Sequence, residues 1–220
     1  MRHFTEELDE LRKELLTMAG LVELAVHESV LSLTERDSER AQQVLVNEAK
    51  INQLEIRIDE LATQLLALHQ PMAGDLRLLT AAIKINNDLE RMGDLAVNIV
   101  ECSLSLISQP SVKPMIDIPH MAQLAESMVR TALDSFVKRD AELARGVLLS
   151  DDAVDDLRDS ITRELVGFME RDPSTVSRAL DLILVARNLE RIADHATNIA
   201  EDVLFLIQGV EVRHHAEEGR

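Results

Sequence analysis

The sequence is poor in aromatic residues and in residues that break helices. Its 220 residues include four Phe, no Trp, no Tyr, seven Gly and five Pro. An all-β protein needs a turn about every ten residues, so this shortage argues against one. Hydrophobic residues make up 46% of the chain and aromatic residues only 2%. The core must therefore consist of Leu, Ile, Val, Ala and Met, which commonly fill the space between helices.

Other absences narrow the function. Cys102 is the only cysteine, which excludes a disulfide framework and a zinc site made of cysteines. The glycine-rich phosphate-binding patterns G-x-x-x-x-G-K-[ST] and G-x-G-x-x-G do not occur. The chain starts without an apolar signal segment, and no apolar run approaches the roughly 18 residues of a membrane span. The net charge of −17 would repel nucleic acid and anionic lipid. We expect a soluble cytoplasmic protein that binds no nucleic acid.

Apolar residues recur at helical spacing in six long segments. These cover approximately residues 5–34, 38–68, 75–108, 121–138, 140–171 and 173–208. Asp37 and Asp140 supply N-cap signals for the second and fifth segments. Three long helices joined by short turns favour an up-down-up bundle. The predicted fold is therefore all-α, with two tandem, pseudo-symmetric three-helix bundles. We place the first bundle at 1–108, a Pro-containing linker at 109–119, the second bundle at 120–208 and a charged, flexible tail at 209–220.

The third and sixth segments carry nearly the same motif. Residues 88–101 read DLERMGDLAVNIVE and residues 188–201 read NLERIADHATNIAE, with eight of fourteen positions identical. Five of these eight are charged or amide side chains. A repeat retained only for packing would preserve its apolar positions and let its polar positions drift. We therefore expect the polar face of these two helices to have a function.

On a helical wheel the motif separates into two faces. The apolar stripe is Ile85, Leu89, Met92, Ala96 and Ile99 in the first copy, and Val185, Leu189, Ile192, Ala196 and Ile199 in the second. The opposite face carries the polar residues Glu90, Asp94, Asn98, Glu101, Glu190, Asp194, Asn198 and Glu201. The Glu and Asp of each copy are four residues apart, so their carboxylates point the same way and repel each other. A cation should relieve this repulsion.

An arginine or a metal ion could supply that cation. Arg91 and Arg191 project about 100° away from the glutamates that precede them. Oxygen ligands on one face suit Mg²⁺, Ca²⁺, Mn²⁺ or iron, but two carboxylates per helix are too few to close a mononuclear site. The second and fifth helices offer further oxygen ligands: Glu48, Asn52, Glu55 and Asp59, and Asp151, Asp152, Asp155, Asp156 and Asp159. Glu55 aligns with Arg158, which indicates that the second site is poorer in ligands.

The polar residues allow three other interpretations. The solvated side of any amphipathic helix is polar, so the acidic face could have a purely structural role. A ferritin-like di-iron site needs Glu-x-x-His pairs on core helices, and the only such spacing is Glu211 to His214 in the tail. Histidine phosphotransfer would use His27 or His195, which lie in predicted helices. We expect no enzymatic activity.

The paired motifs, 89–99 and 189–199, resemble the signatures of the PhoU family of phosphate-signalling proteins. The segment 65–77, LLALHQPMAGDLR, which leads into the third helix, resembles the family as well. The resemblance extends from the first helix to about Leu206. It implies two three-helix bundles whose E/D-x-x-x-D motifs hold metal ions, in some members as multinuclear iron or zinc clusters on the bundle surface.

Applied to this chain, the resemblance makes Glu90, Asp94, Glu190 and Asp194 the core metal ligands. The secondary candidates are Glu48, Glu55, Asp151 and Asp155, together with Asn98, Asn198, Glu101 and Glu201 on the polar faces. The expected cofactor is a divalent or trivalent ion, with iron, zinc, magnesium and manganese as candidates.

The resemblance further implies a negative regulator that restrains phosphate uptake and the phosphate-starvation response. Its expected partners are a phosphate ABC transporter ATPase and a membrane sensor histidine kinase. It would bridge them at their cytoplasmic faces, peripheral to the membrane through protein partners only, and as a homodimer. The alternatives are a helical metal-binding protein of the di-iron type and a purely structural helical adaptor for another permease.

Overall fold

The computed structural model describes residues 2–113 and 117–209, none of which lies in a β-strand. The helices are α1 (Arg2–Thr34), α2 (Ser38–His69), α3 (Gly74–Ile107), α4 (Asp117–Lys138), α5 (Ala141–Leu148), α6 (Asp151–Arg171) and α7 (Val176–Gln208), with a 3₁₀ turn at Pro173–Thr175. Helices α1, α2 and α3 pack on one another, and α4 and α7 pack on α5 and α6. The predicted all-α fold of two tandem three-helix bundles is confirmed, with α5 and α6 together in the place of one predicted helix.

The two bundles pack side by side through α3 and α7, the most extensive helix pair in the described chain, and through α1 and α4. Every residue of the two predicted apolar stripes is 0% exposed. Burying a Leu, Ile or Met side chain stabilises a protein by about 1.5–3 kcal/mol. The stripes therefore determine which face of α3 and of α7 is turned away from the core, and with it the position of the acid pairs.

The second helix of each bundle begins with the same turn. Arg36 and Arg139 adopt left-handed backbone conformations, with φ of 57° and 50°. The aspartate that follows each of them, Asp37 or Asp140, accepts a hydrogen bond at 2.8 Å from the backbone N–H two residues further on. Such an N-cap contributes about 1 kcal/mol to helix stability. Both aspartates were predicted to start helices, and the structure confirms this.

The helix predicted over 140–171 is interrupted at Leu149 and Ser150, and α6 begins anew at Asp151. The Ser150 hydroxyl donates to the carbonyl of Gly146 at 2.9 Å. Glycine weakens a helix, and a serine that bonds to the backbone competes with helical hydrogen bonds. As a result, Asp151 lies in the first turn of a new helix.

Two further segments differ in extent from the prediction. Helix α4 begins at Asp117, within the segment predicted as a linker, and Lys113 donates to the Asp117 carboxylate at 2.7 Å. The predicted tail, apart from Gly209, lies outside the described residues.

Helix α1 is long and apolar enough to cross a membrane, judged by the length and composition of a window within Phe4–Thr34. This differs from the expectation that no segment approaches a membrane span. Half of that window is buried inside the fold, where α1 packs against α2 and α3. Core packing in the first bundle therefore accounts for the apolar composition of α1.

Candidate functional site

The two acid pairs lie along grooves between neighbouring helices. Glu90 and Asp94 are on α3 beside α2, and Glu190 and Asp194 are on α7 beside α6. The Glu90 side chain is 24% exposed and that of Asp94 is 40% exposed. Glu90, Asp94 and Glu190 are thus partly covered by the adjacent helix, whereas Asp194 is exposed.

In the first bundle, Glu55 of α2 faces the acid pair on α3. Burial raises the pKa of Glu90 above its usual value, and the negative charges of Asp94 and Glu55 raise it further. The positive charge of Arg91 acts in the opposite direction. The groove therefore holds carboxylates that repel one another and that a cation would stabilise.

Arg91 already neutralises part of this first groove. Its Nε lies 3.3 Å from Oε2 of Glu90, and its Nη1 lies 3.3 Å from Oδ2 of Asp94. The expectation that Arg91 points away from the acids is therefore wrong, because its long side chain folds back across them. The Arg91 side chain is 59% exposed, and such surface ion pairs contribute about 0–1 kcal/mol. The arginine can leave the groove at little cost.

The second groove gathers four carboxylates. Asp151 and Asp155 of α6 face Glu190 and Asp194 of α7. Burial, followed by the charges of Asp194 and Asp155, raises the pKa of Asp151 to about 6. Burial and Asp155 also raise the pKa of Asp194. The predicted ligands of the second bundle are thus brought close enough to affect one another's ionisation.

Arg158 lies on α6 where α2 carries Glu55. Its guanidinium lies 3.1 Å from Asp159, 3.6 Å from Asp155 and 3.6 Å from Glu190. This agrees with the alignment of Glu55 with Arg158 and leaves the second groove with an arginine where the first has an acid. The Nε of Arg158 is buried and has no hydrogen-bond partner in the part of the chain that the structure describes.

The other predicted ligands have different surroundings. Oε1 of Glu48 accepts a hydrogen bond from Nδ2 of Asn52 at 3.0 Å. Asn198 points to the neighbouring bundle, where its Nδ2 donates to Oδ1 of Asp88 at 3.3 Å. Asn98 and Glu101 are exposed, and Glu201 is half-buried.

The carboxylates of the two grooves are the right kind of ligand for a hard cation, but their present arrangement does not form a binding site. Carboxylate oxygens are the ligands that magnesium, manganese and iron accept readily. Within residues 2–113 and 117–209, however, no three His, Cys, Asp or Glu side chains are arranged so that they could hold a metal ion. Binding in the first groove therefore requires Arg91 to move aside and the carboxylates to converge.

Sequence reasoning missed a polar contact between the bundles. Nδ1 of His195 in α7 lies 2.8 Å from Oδ1 of Asp88 in α3. Their side chains are only 17% and 14% exposed. The equivalent positions in the other copy of the motif are Leu95 and Asn188. The signal available in the sequence was this difference between two otherwise similar motifs.

A family model described as the PhoU domain matches residues 15–103 and 118–203. The chain belongs to the PhoU family. Each matched segment contains one copy of the acidic motif, so the internal repeat corresponds to two PhoU domains in tandem. The family predicted from the paired motifs is confirmed.

Several PhoU proteins are similar over nearly the whole chain. The phosphate-specific transport system accessory protein PhoU homolog of Pseudomonas putida is 43% identical, over 97% of this chain and 84% of its own length. The homolog of Aquifex aeolicus is 39% identical, over 95% of each chain. The crystal structure of PhoU from Pseudomonas aeruginosa has a TM-score of 0.92 at 41% identity, covering 94% of this chain and all of that one. The phosphate transport system regulatory protein PhoU from Streptococcus pneumoniae has a TM-score of 0.88 at 28% identity, covering 95% of this chain and 99% of that one.

Proposed function

We propose that this chain is a non-enzymatic negative regulator of phosphate uptake and of the phosphate-starvation response. It acts as a metal-binding cytoplasmic adaptor between a phosphate ABC transporter ATPase and a membrane sensor histidine kinase. The observation that carries the proposal is near full-length similarity to proteins named as accessory or regulatory proteins of phosphate transport systems. A role as a transport accessory protein also favours the absence of catalysis.

The acidic grooves provide the cation sites of this adaptor. Glu90 and Asp94, with Glu55 beside them, would hold a cation in the first bundle, and the carboxylates around Asp151 would hold one in the second. The raised pKa values of Glu90 and Asp151 support this assignment, because a bound cation would remove the repulsion that contributes to them. The cation neutralises the groove and orders its side chains. Partners then dock on that face or beside it.

We further propose that the protein is a homodimer. Val176, Leu180 and Leu184 follow one another at four-residue spacing on α7 and are 37%, 49% and 45% exposed. An apolar stripe on one helical face supports contact with a second copy. Light scattering should show a dimer for the parent and a monomer for Leu180→Glu. Leu68→Glu, at an exposed position on α2, is the matched control and should remain dimeric.

Co-purification tests the proposed function. Tagged protein is recovered from phosphate-replete and phosphate-starved cells, and the retained proteins are identified by mass spectrometry. We expect the transporter ATPase or the histidine kinase to be retained, and more of it under phosphate-replete conditions, when uptake is restrained.

The Asp94→Asn/Asp194→Asn variant should retain less of that partner protein than the parent does. Asp9→Asn/Asp134→Asn changes the charge equally at acids outside the grooves and should retain as much as the parent. Retention of neither partner in either condition would contradict the proposal.

A di-iron oxidase and a structural adaptor are the competing functions. An oxidase would consume oxygen or form peroxide when loaded with iron, and we expect neither. Glu211 and His214, whose spacing suggested this alternative, lie outside the described residues. A structural adaptor for another permease would co-purify with that permease and would contain no stoichiometric metal.

A further inference from the structure

A pocket with apolar walls and two arginines lies where the two bundles meet. It has a volume of about 330 Å³. Residues of α1, α3, α4 and the turn after α4 line it: Arg12, Leu16, Leu78, Phe136, Val137 and Arg139. Leu78 and Phe136 are buried, whereas Leu16 and Val137 are exposed large apolar side chains. The pocket therefore offers apolar surface to a segment that could cover it.

Helix α7 ends beside this pocket. Nε of Arg77, the residue before Leu78, donates to the backbone carbonyl of Leu206 at 3.4 Å. Nη1 of Arg77 lies 3.8 Å from the position that a Cβ on Gly209 would take. Gly209 ends α7 in a left-handed conformation, with φ of 70°, and such a residue turns the chain away from the helix axis. The chain therefore leaves α7 next to the pocket.

The internal repeat has a counterpart of this pocket in the other half of the molecule. The residues equivalent to Leu78, Phe136, Val137 and Arg139 are Arg178, Leu33, Thr34 and Arg36. Here the segment that follows α3 crosses the surface. The guanidinium of Arg36 donates to the carbonyl of Gln109, and that of Arg178 donates to the carbonyl of Pro110 at 2.7 Å. Val112 of the same segment packs against the core.

The segment that follows α7 repeats the segment that follows α3. Residues 104–112 read LSLISQPSV and residues 204–212 read LFLIQGVEV, with four of nine positions identical. Val212, which like Val210 and Glu211 lies beyond the described residues, is one of the identical positions and is equivalent to Val112. The repeat therefore indicates the same use for both segments.

Charge also favours this segment as the occupant. No acidic residue lines the pocket. Arg12 pairs with Asp9 at 3.1 Å, but both side chains are largely exposed, so the pair is weak. The Arg139 side chain makes no ion pair or hydrogen bond with any residue in 2–113 or 117–209, and the neighbouring Asp140 accepts from backbone N–H groups of α5. Glu211 would bring a carboxylate to the two arginines.

We infer that the pocket binds residues 210–212 of this chain, with Val212 on its apolar walls and Glu211 beside Arg12 and Arg139. The segment after α7 then contacts α1, α3 and α4, and so joins both bundles. It does for the end of α7 what residues 109–112 do for the end of α3. The inference involves neither the acidic grooves nor the proposed partners, so it stands or fails independently of them.

Disulfide trapping in the full chain tests the inference. Val137→Cys/Val212→Cys is made together with Cys102→Ser, because Cys102 is the sole cysteine, and is oxidised with diamide. Leu76→Cys/Val212→Cys in the same background is the matched control. Leu76 is exposed and precedes Arg77, which contacts the end of α7, but it does not line the pocket. Mass spectrometry identifies the linked peptides, and a non-reducing gel separates links within one chain from links between two chains.

We expect the disulfide between positions 137 and 212 to form within one chain. It should form at least about tenfold faster than the disulfide between positions 76 and 212, because a bound segment raises the local concentration of its cysteine. Similar rates for the two pairs, or links between two chains only, would overturn the inference.

Urea unfolding gives a second test without added cysteines. Val212→Asp should unfold at a lower urea concentration than the parent, because it places a charge on the apolar walls of the pocket. Val210→Asp is the control and should unfold like the parent, since the equivalent Pro110 is exposed. Unchanged unfolding of Val212→Asp, or an equal decrease for Val210→Asp, would overturn the inference as well.

Discussion

Oδ1 of Asp88 in α3 lies 2.8 Å from Nδ1 of His195 in α7, and it also accepts a hydrogen bond from Asn198 at 3.3 Å. The repeat places Asn188 and Leu95 at the equivalent positions. Asp88 therefore anchors a polar contact that only one side of the pseudo-symmetric α3–α7 interface makes. Elsewhere the same two helices are joined by apolar packing and by further polar contacts, among them Lys84 with Asp202 and Ser105 with Asp181, both at 2.9 Å.

Replacing Asp88 should destabilise the protein. Asp88→Ala leaves His195 and Asn198 without their shared acceptor, which should lower the free energy of unfolding by about 1–3 kcal/mol. Urea unfolding followed by circular dichroism measures the change. Asp134→Ala is the control, because Asp134 pairs with Lys138 on the surface, where both side chains are more than half exposed. The control should lower the free energy of unfolding by no more than about 1 kcal/mol. An equal decrease in both variants would show that the contact between the bundles stabilises the protein no more than a surface ion pair does.

The packing of Gly93 against Ile51 should depend on the size of both side chains. A Cβ at Gly93 would lie 3.4 Å from both Cδ1 and Cγ2 of Ile51. The second bundle has Ala193 and Val154 at these positions, a larger residue facing a smaller one. When Ile51→Val is also present, Gly93→Ala should raise the free energy of unfolding by up to about 1 kcal/mol, because alanine has the higher helix propensity. The increase should be smaller in the parent, where Ile51 crowds the new methyl group.

A double-mutant cycle measures this coupling. The four proteins are the parent, Gly93→Ala, Ile51→Val and the double variant, each unfolded in urea. We expect Ile51→Val alone to cost about 0.5–1.5 kcal/mol. The same gain from Gly93→Ala in both backgrounds would mean that Ile51 does not restrict the position.

Asp151 should make the stability of the second bundle depend on pH. Burial and neighbouring carboxylates raise the pKa of Asp151 in the folded protein to about 6, from a usual 3.8. The folded state therefore binds this proton more tightly than the unfolded chain does. The resulting stabilisation is complete below about pH 4 and is lost as the pH rises through about 6. Asp151→Asn removes the ionisable group and should cancel this loss.

Urea unfolding at two pH values tests this effect in chelated protein. At pH about 7.5, Asp151→Asn should be more stable than the parent by about 1 kcal/mol, a value discounted for the solvent screening of a partly exposed group. At pH about 4 the difference should vanish. Asp152→Asn, at the exposed neighbouring position, is the control and should show a smaller effect. The same change at both pH values for Asp151→Asn would contradict the assignment.

Local signals in the sequence were sufficient for most of the fold. The aspartates at 37 and 140 marked two helix starts, and the apolar stripes of α3 and α7 are fully buried as predicted. These features depend on neighbours within one helix or one turn. The break at Ser150 was missed because Gly146, as a single weak helix former, does not end a helix by itself. It takes effect only in combination with the serine hydroxyl that bonds to the backbone.

The sites were harder to predict because they depend on side-chain reach and on which helices become neighbours. A helical wheel records where a side chain starts, but Arg91 is long enough to return to the acids on its own helix. The contact of Asp88 with His195 exists only because α3 packs on α7. Arg158 was visible as a departure from the repeat, but only the packing of α6 on α7 shows that it shares a cleft with Arg187.

Metal content is the most direct test of whether the duplicated acids bind cations. The parent and the Asp94→Asn/Asp194→Asn variant are purified without chelator and analysed by inductively coupled plasma mass spectrometry. Both should have the same helical circular dichroism, because the apolar stripes are unchanged. We predict stoichiometric metal in the parent and little in the variant, with Asp9→Asn/Asp134→Asn resembling the parent. Equal metal content in the parent and the Asp94→Asn/Asp194→Asn variant, or no bound metal in either, would contradict the account.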